Sequence, residues 1–187
     1  MIEQTHLPNF EEAVLPHLDS AYNLARWLTR NEQDAEDAVQ DACLRAFRFF
    51  PGFRGGDARP WLLKIVRNTW YTRLHANRVL RDAAEFDENL FPTDFRALNP
   101  EEAVLQNDSG ALVRKALEKL PVNFREVLIL REIEGMSYKE IADITGMPAG
   151  TVMSSLSRAR ERLREALTGL MSAETAPSSL RTVVVNA

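Results

Sequence analysis

Apolar residues along the chain recur mostly at helical spacing. Val14, Leu18, Ala21, Tyr22, Ala25 and Leu28 fall at steps of three and four, which places them on one face of a helix and predicts an element over about Phe10 to Thr29. A second helix is expected from Asn31, a side chain suited to capping, with acidic residues following at the positive end of the helix dipole. Its inward stripe is Ala35, Ala38, Val39, Ala42 and Ala46, and it ends near Phe49, before Pro51–Gly52. The stretch "FRGGDARP" reads as a loop. Pro60 is suited to a first turn and opens a third helix, "WLLKIVRNTWYTRLHANR", whose inward side is Leu62, Ile65, Val66, Thr69 and Trp70.

Residues 82–108 break this pattern with two prolines and with eight acidic side chains against one basic. Beyond them the spacing predicts shorter helices, at about Ser109 to Leu120, Val122 to Glu134 ending at Gly135, Ser137 to Thr145, and Pro148 to Leu170. Alternating strand-like runs are missing apart from "RTVVV" at the end. The expected fold class is therefore all-α, two small helical domains (1–81 and 109–170) joined by an acidic linker (82–108), with a disordered tail over 171–187.

The segment "SYKEIADITGMPAGTVMSSLSRARERL" is the most specific. Ser137 and Glu140 are spaced as a capping box, Gly146 permits the left-handed backbone that stops a helix, and Pro148 restarts one within a few residues. Helices joined by so short a turn cross steeply, which is helix-turn-helix geometry. On a helical wheel Val152, Leu156, Ala159, Leu163, Ala166 and Leu167 share a stripe about 100° wide, while Ser154, Ser157, Arg158 and Glu161 face away. An outward face of small polar residues flanked by arginines suits the major groove, where serines approach base edges and arginines reach guanine or phosphate. The plainer reading is a solvated helix carrying Glu–Arg pairs.

Charge sharpens the picture. The net charge of the 187 residues is −4, but it is sorted into blocks. Residues 1–53 hold nine acidic and four basic side chains, residues 54–81 one and seven, and residues 82–108 eight and one, for net charges of −5, +6 and −7. Residues 109–187 hold nine acidic and eleven basic, net +2. Such sorting presents different faces to different partners. In the third helix Lys64, Asn68, Tyr71, His75 and Arg78 lie within about 100° of Arg67 on the wheel. Cations interleaved with a ring and preceded by a loop containing Arg54 suit single-stranded nucleic acid, because cations hold the backbone while rings stack on bases. A basic solvated face is the alternative. In the second helix Asp37, Gln40 and Asp41 form a face too negative for phosphate and better suited to a protein.

Other chemistry is not expected. Cys43 is the single cysteine and reads as a structural thiol, and the three histidines lack metal-ligand spacing. With no nucleophile–base set and no phosphate loop, the expectation is no enzyme, no cofactor, no metal and no small-molecule substrate. The N-terminus has no signal-peptide pattern and no stretch reaches a membrane span, so the expected location is the cytoplasm, without direct membrane insertion.

On these residues the chain resembles bacterial RNA polymerase sigma factors of the extracytoplasmic-function type, which keep sigma regions 2 and 4. "DAEDAVQDACLRAFR" resembles the core-polymerase-binding helix of region 2, which implies that Asp37, Gln40 and Asp41 contact core RNA polymerase. "FRGGDARPWLLKIVRNTWYTRL" resembles the part that melts the promoter and captures a flipped minus-ten base. Trp61, Leu62, Ile65 and Asn68 carry the W-L-x-x-I-x-x-N pattern, and Arg54, Lys64, Arg67, Asn68, Tyr71, His75 and Arg78 are the implied single-strand contacts. "LPVNFREVLILREIEGMSYKEIADITGMPAGTVMSSLSRARERL" resembles region 4, implying duplex contacts to the minus-35 element from Thr151, Ser154, Ser157, Arg158 and Arg160. Met153 and Ser155 stand where many relatives have basic residues, so the upstream promoter sequence does not carry over. The resemblance also implies an anti-sigma partner, and the charge of the acidic linker, too negative for duplex DNA, suits the positively charged RNA exit path of polymerase. The rival readings are a helix-turn-helix regulator that binds DNA without polymerase, and an α-helical adaptor with no DNA role.

Overall fold

The computed structural model describes residues 9–82 and 108–175, with side chains for 9–76 and 110–172. Every regular element among them is helical. Helix α1 (Phe10–Val14) opens on a capping box, with the Glu12 N–H donating to Asn9 Oδ1 at 2.8 Å and the Asn9 N–H to Glu12 Oε2 at 3.2 Å. A 3₁₀ turn (Leu15–His17) follows, then α2 (Leu18–Thr29). The single helix predicted over Phe10 to Thr29 is thus broken near Pro16, which lacks an N–H and whose ring collides with the carbonyl four residues back. The apolar spacing runs through the break unchanged and so conceals it.

Helix α3 (Glu32–Phe49) starts on the Asn31 cap, whose Oδ1 accepts from the Asp34 N–H at 3.0 Å. Its stripe of Ala35, Ala38, Ala42 and Ala46 is fully buried, and alanines there let α2 and α4 (Ala58–Asp82) approach closely. Phe50, Phe53 and Trp61 pack together at the loop before α4, with the two phenylalanine rings stacked 5.6 Å apart and Trp61 5.1 Å from Phe53. That cluster pins the loop bearing Arg54. Helix α4 begins two residues before Pro60, where Asp57 Oδ1 accepts the Arg59 N–H at 2.9 Å.

The second module comprises α5 (Asp108–Glu118), α6 (Val122–Leu128), a π-helical turn (Ile129–Ile133), α7 (Tyr138–Thr145) and α8 (Ala149–Thr175). The helix predicted over Val122 to Glu134 therefore changes pitch midway: the Glu134 N–H bonds to the Ile129 carbonyl, five residues back, at 2.9 Å. Helix α8 continues to Thr175, so residues 171–175 of the predicted tail are helical. The rest of that tail, and the predicted acidic linker between Asp82 and Asp108, lie outside the described residues.

The two modules share one contiguous core, and region 83–107 is not their only connection. Helix α4 lies against α7, and α2 lies against α6. Leu63, which sits near the edge of the basic side of α4, is completely buried.

Candidate nucleic-acid interface

The helix-turn-helix is built by local chemistry. The Glu140 N–H donates to Ser137 Oγ at 3.2 Å and the Ser137 N–H to Glu140 Oε2 at 2.7 Å, so the capping box predicted there is formed. Hydrogen bonding to Ser137 holds the Glu140 carboxyl below its usual range. Gly146 closes α7 at φ 74°, donating its N–H to the Ala142 carbonyl at 2.8 Å. The Pro148 carbonyl then accepts from Thr151 and Val152 N–H groups and starts α8. Val152, Leu156 and Ala159 are buried, anchoring the N-terminal half of α8. Leu163, Ala166 and Leu167 are half-buried, the first two packed against the same core.

Anchoring that stripe turns Thr151, Ser154, Ser157, Arg158 and Arg160 to solvent, all exposed on one side of α8. Met153 is exposed beside them. Ser154 Oγ donates to the Thr151 carbonyl at 3.0 Å, and Arg160 holds Glu132 at 2.7 Å, an exposed and exchangeable pair. Arg162 lies over the Phe124 ring of α6, 5.4 Å from its centroid.

On α4, Lys64, Asn68 and His75 are exposed, as is Arg54 on the preceding loop. Arg78 is on the last turns of the helix, and its side chain lies outside the described residues. Arg67 and Tyr71 differ from their neighbours. Arg67 stacks over the Tyr71 ring at 4.5 Å, and both reach Glu126 of α6: Arg67 Nε donates to Oε1 at 2.6 Å and Tyr71 Oη to Oε2 at 3.3 Å. Burial raises the Glu126 carboxyl above its usual range, against the pull of Arg67. Burial, then the Glu126 charge, pushes the Tyr71 phenol up to about 12, so it remains a hydrogen-bond donor. Next to Glu126, Arg125 is buried with Nε and Nη1 lacking protein partners, and burial followed by the Arg30 charge lowers it to about 10.

On α3, Asp37 and Asp41 are half-exposed and Gln40 exposed. Arg73 of α4 spans the two carboxylates, at 3.7 Å from Asp37 and 3.5 Å from Asp41. The acidic face is thus tied to the basic helix. Beyond it Leu44 and Phe47 are exposed apolar side chains one turn apart, and Phe47 meets Phe10 edge-on at 5.2 Å. The sequence reading passed over Arg73, Arg59, Glu126 and Glu134, since none stands out by spacing and each takes its meaning from a partner on a distant helix.

A bundle bearing an acidic face and a basic–aromatic face, followed by a helix-turn-helix, defines the sigma-70 class of transcription factors. The family descriptions "Sigma-70 region 2" and "Sigma-70, region 4" match residues 13–88 and 111–163. The ECF RNA polymerase sigma factor SigE of Mycolicibacterium smegmatis is 35% identical over 178 residues, covering 95% of this chain and 68% of that protein. The RNA polymerase sigma-H factor of Pseudomonas aeruginosa is 33% identical over 171 residues, covering 87% and 88%. Among solved structures, the sigma factor RpoE of Bartonella quintana, in complex with the anti-sigma factor NepR, is 32% identical with a TM-score of 0.66, covering 85% of this chain and 96% of that one. CnrH, in complex with the cytosolic domain of CnrY, is 27% identical with a TM-score of 0.58, covering 89% of each chain. The chain belongs to the extracytoplasmic-function RNA polymerase sigma factors.

Proposed function

We propose that this chain is a dissociable specificity subunit of RNA polymerase, cytoplasmic, without catalysis of its own and subject to an anti-sigma partner. In this reading Asp37, Gln40 and Asp41 dock residues 1–81 on core polymerase. Thr151, Ser154, Ser157, Arg158 and Arg160 meet the upstream duplex, and Arg54, Lys64, Arg67, Asn68, Tyr71, His75 and Arg78 hold the unstacked strand. Unstacking a base costs a few kcal/mol, and contacts made only to the correct flipped base offset it, which joins recognition to melting. The observation that carries the reading is the capped α7–turn–α8 unit presenting an exposed serine–arginine face, on the same chain as a region 2 bundle. The solved relative bound to the anti-sigma factor NepR supports the regulatory part. No helix among the described residues is long and apolar enough to cross a membrane.

Run-off transcription with purified core polymerase on a promoter library tests this. The chain is expected to confer start-site selection, and Arg158→Ala to lower initiation about fivefold or more, as loss of a base contact worth about 1–3 kcal/mol does. Tight operator binding without polymerase in a gel shift would instead favour a stand-alone regulator. Unchanged transcription after Arg158→Ala and Arg160→Ala would favour an adaptor.

A further inference from the structure

We infer that the cavity between α2 and α5 is a binding site for a small phosphate-bearing anion, held by the guanidiniums of Arg26, Arg30 and Arg114 with the buried Arg125 behind them. The site shares no residue with the faces assigned to DNA or to polymerase.

The cavity has a volume of about 240 Å³ and is lined by Asn23, Arg26, Trp27 and Arg30 on one side and by Arg114 and Glu118 on the other. The first four fall at positions i, i+3, i+4 and i+7 along α2 and its cap, so a single face of that helix is turned to α5. Arg114 and Glu118 are likewise one turn apart on α5.

Two of the arginines hold donors that the protein leaves unmet. Arg30, in a left-handed backbone conformation at φ 58°, gives Nη2 to the Glu118 and Leu120 carbonyls, yet its Nε is buried without an acceptor. Arg125 of α6 is 2% exposed, and neither its Nε nor its Nη1 is paired. Native proteins rarely bury N–H donors without acceptors, so such donors point to a group that completes the site. Burial, then the Arg30 charge, lowers Arg125 to about 10, which still leaves it a cation at neutral pH beside a second one. Glu118 is the one carboxylate among the lining residues, and it is half-exposed. Four guanidiniums and that carboxylate sum to a net charge of +3.

A phosphate supplies what is missing. A phosphate monoester brings a charge of about −1.5 to −2 at neutral pH and three acceptor oxygens. Guanidiniums engage such oxygens through parallel pairs of N–H···O bonds, stronger than those between neutral groups. A cavity of about 240 Å³ lies below the roughly 300–1,000 Å³ of pockets for larger ligands, which suits one or two phosphate groups and excludes a polymer strand. Trp27 adds an aromatic wall on which an organic group esterified to the phosphate can lie. Because Arg26 and Arg30 belong to α2 and its cap, whereas Arg114 and Arg125 belong to α5 and α6, a bound anion bridges the two modules.

The test uses the full chain. Calorimetric titration with sodium pyrophosphate at constant ionic strength is expected to show one site per chain, and the melting midpoint should rise until that site fills. Arg26→Gln removes one lining guanidinium from a half-exposed position, so it reads the site without disturbing the core, and should weaken pyrophosphate about tenfold. Arg125→Met replaces an unpaired buried charge with an apolar chain of similar length. It should be at least as stable as the native chain in chloride alone, and its midpoint should no longer respond to pyrophosphate. Arg48→Gln, at an exposed position on α3, should leave the affinity unchanged. Titrations with orthophosphate and with ADP separate the sources of the phosphate. ADP binding as tightly as pyrophosphate assigns a nucleotide, and inorganic anions binding where ADP does not assign free phosphate. Absence of saturable pyrophosphate binding, or an equal midpoint rise from added chloride, gives the unmet donors to water and overturns the site. Affinity that Arg26→Gln and Arg125→Met leave unchanged, or that Arg48→Gln weakens equally, overturns it as well.

Discussion

Glu126 and Arg125 are neighbours in sequence, opposite in charge and both buried, yet they do not pair with each other. Glu126 reaches across to α4, whereas Arg125 is left beside Arg30, with the Glu118 charge in partial compensation. Within "FREVLILREI" these two charges look like the polar side of an ordinary helix. The partners they meet, Arg67 and Tyr71 for Glu126 and Arg30 and Glu118 for Arg125, lie on other helices, which is why spacing did not single them out. A consequence at this scale is a pH dependence. Glu126 has its folded-state value raised by burial, so the folded chain binds that proton more tightly than the unfolded one. Its contribution to stability is full below the ordinary glutamate value of 4.5 and is lost as pH rises through the raised value. Urea unfolding at a series of pH values should show native stability falling with rising pH in that window relative to Glu126→Gln, which lacks the titration. Parallel profiles would mean that the carboxyl is not perturbed.

Elements were legible wherever a local rule sets them. The Asn31 and Ser137 caps, the Gly146 stop and the alanine stripe of α3 all follow from side chains within four residues of one another. Elements whose continuity depends on backbone detail were not. The break at Pro16 and the π-helical turn at Ile129–Ile133 keep an unbroken apolar pattern, so periodicity reports helix on both sides and nothing between. The capping interactions carry measurable stability. Ser137→Ala removes an acceptor for a free helix N–H and should lower the unfolding free energy by about 1 kcal/mol. Gly146→Ala should cost about the same: no atom lies within 4 Å of an added Cβ, so the penalty is backbone strain at φ 74° alone. Chemical denaturation reads both, with the denaturant slope expected to stay constant. A loss well above this would place Gly146 in a packing role.

Across the whole molecule, one core spans both modules through α2, α4, α6 and α7. Such continuity predicts a single calorimetric transition for the native chain, with equal calorimetric and van't Hoff enthalpies. Glu134→Arg should divide it into two, as each module then melts alone. Two transitions in the native chain would mean that the modules are energetically separate. At this scale the sequence by itself determined where most of the helices lie, the two-module order, the exposed serine–arginine face of α8 and the acidic face of α3, because each depends on periodicity, capping or net charge within one segment. The tertiary structure alone decided which partners those faces meet: Arg73 across Asp37 and Asp41, Glu126 on Arg67 and Tyr71, Glu134 on Arg59. The physical reason is range. Helix formation is settled by neighbours a few residues apart, whereas the burial and pairing of a charge are settled by whichever surface the folded chain brings against it, here from 32 to 75 residues away.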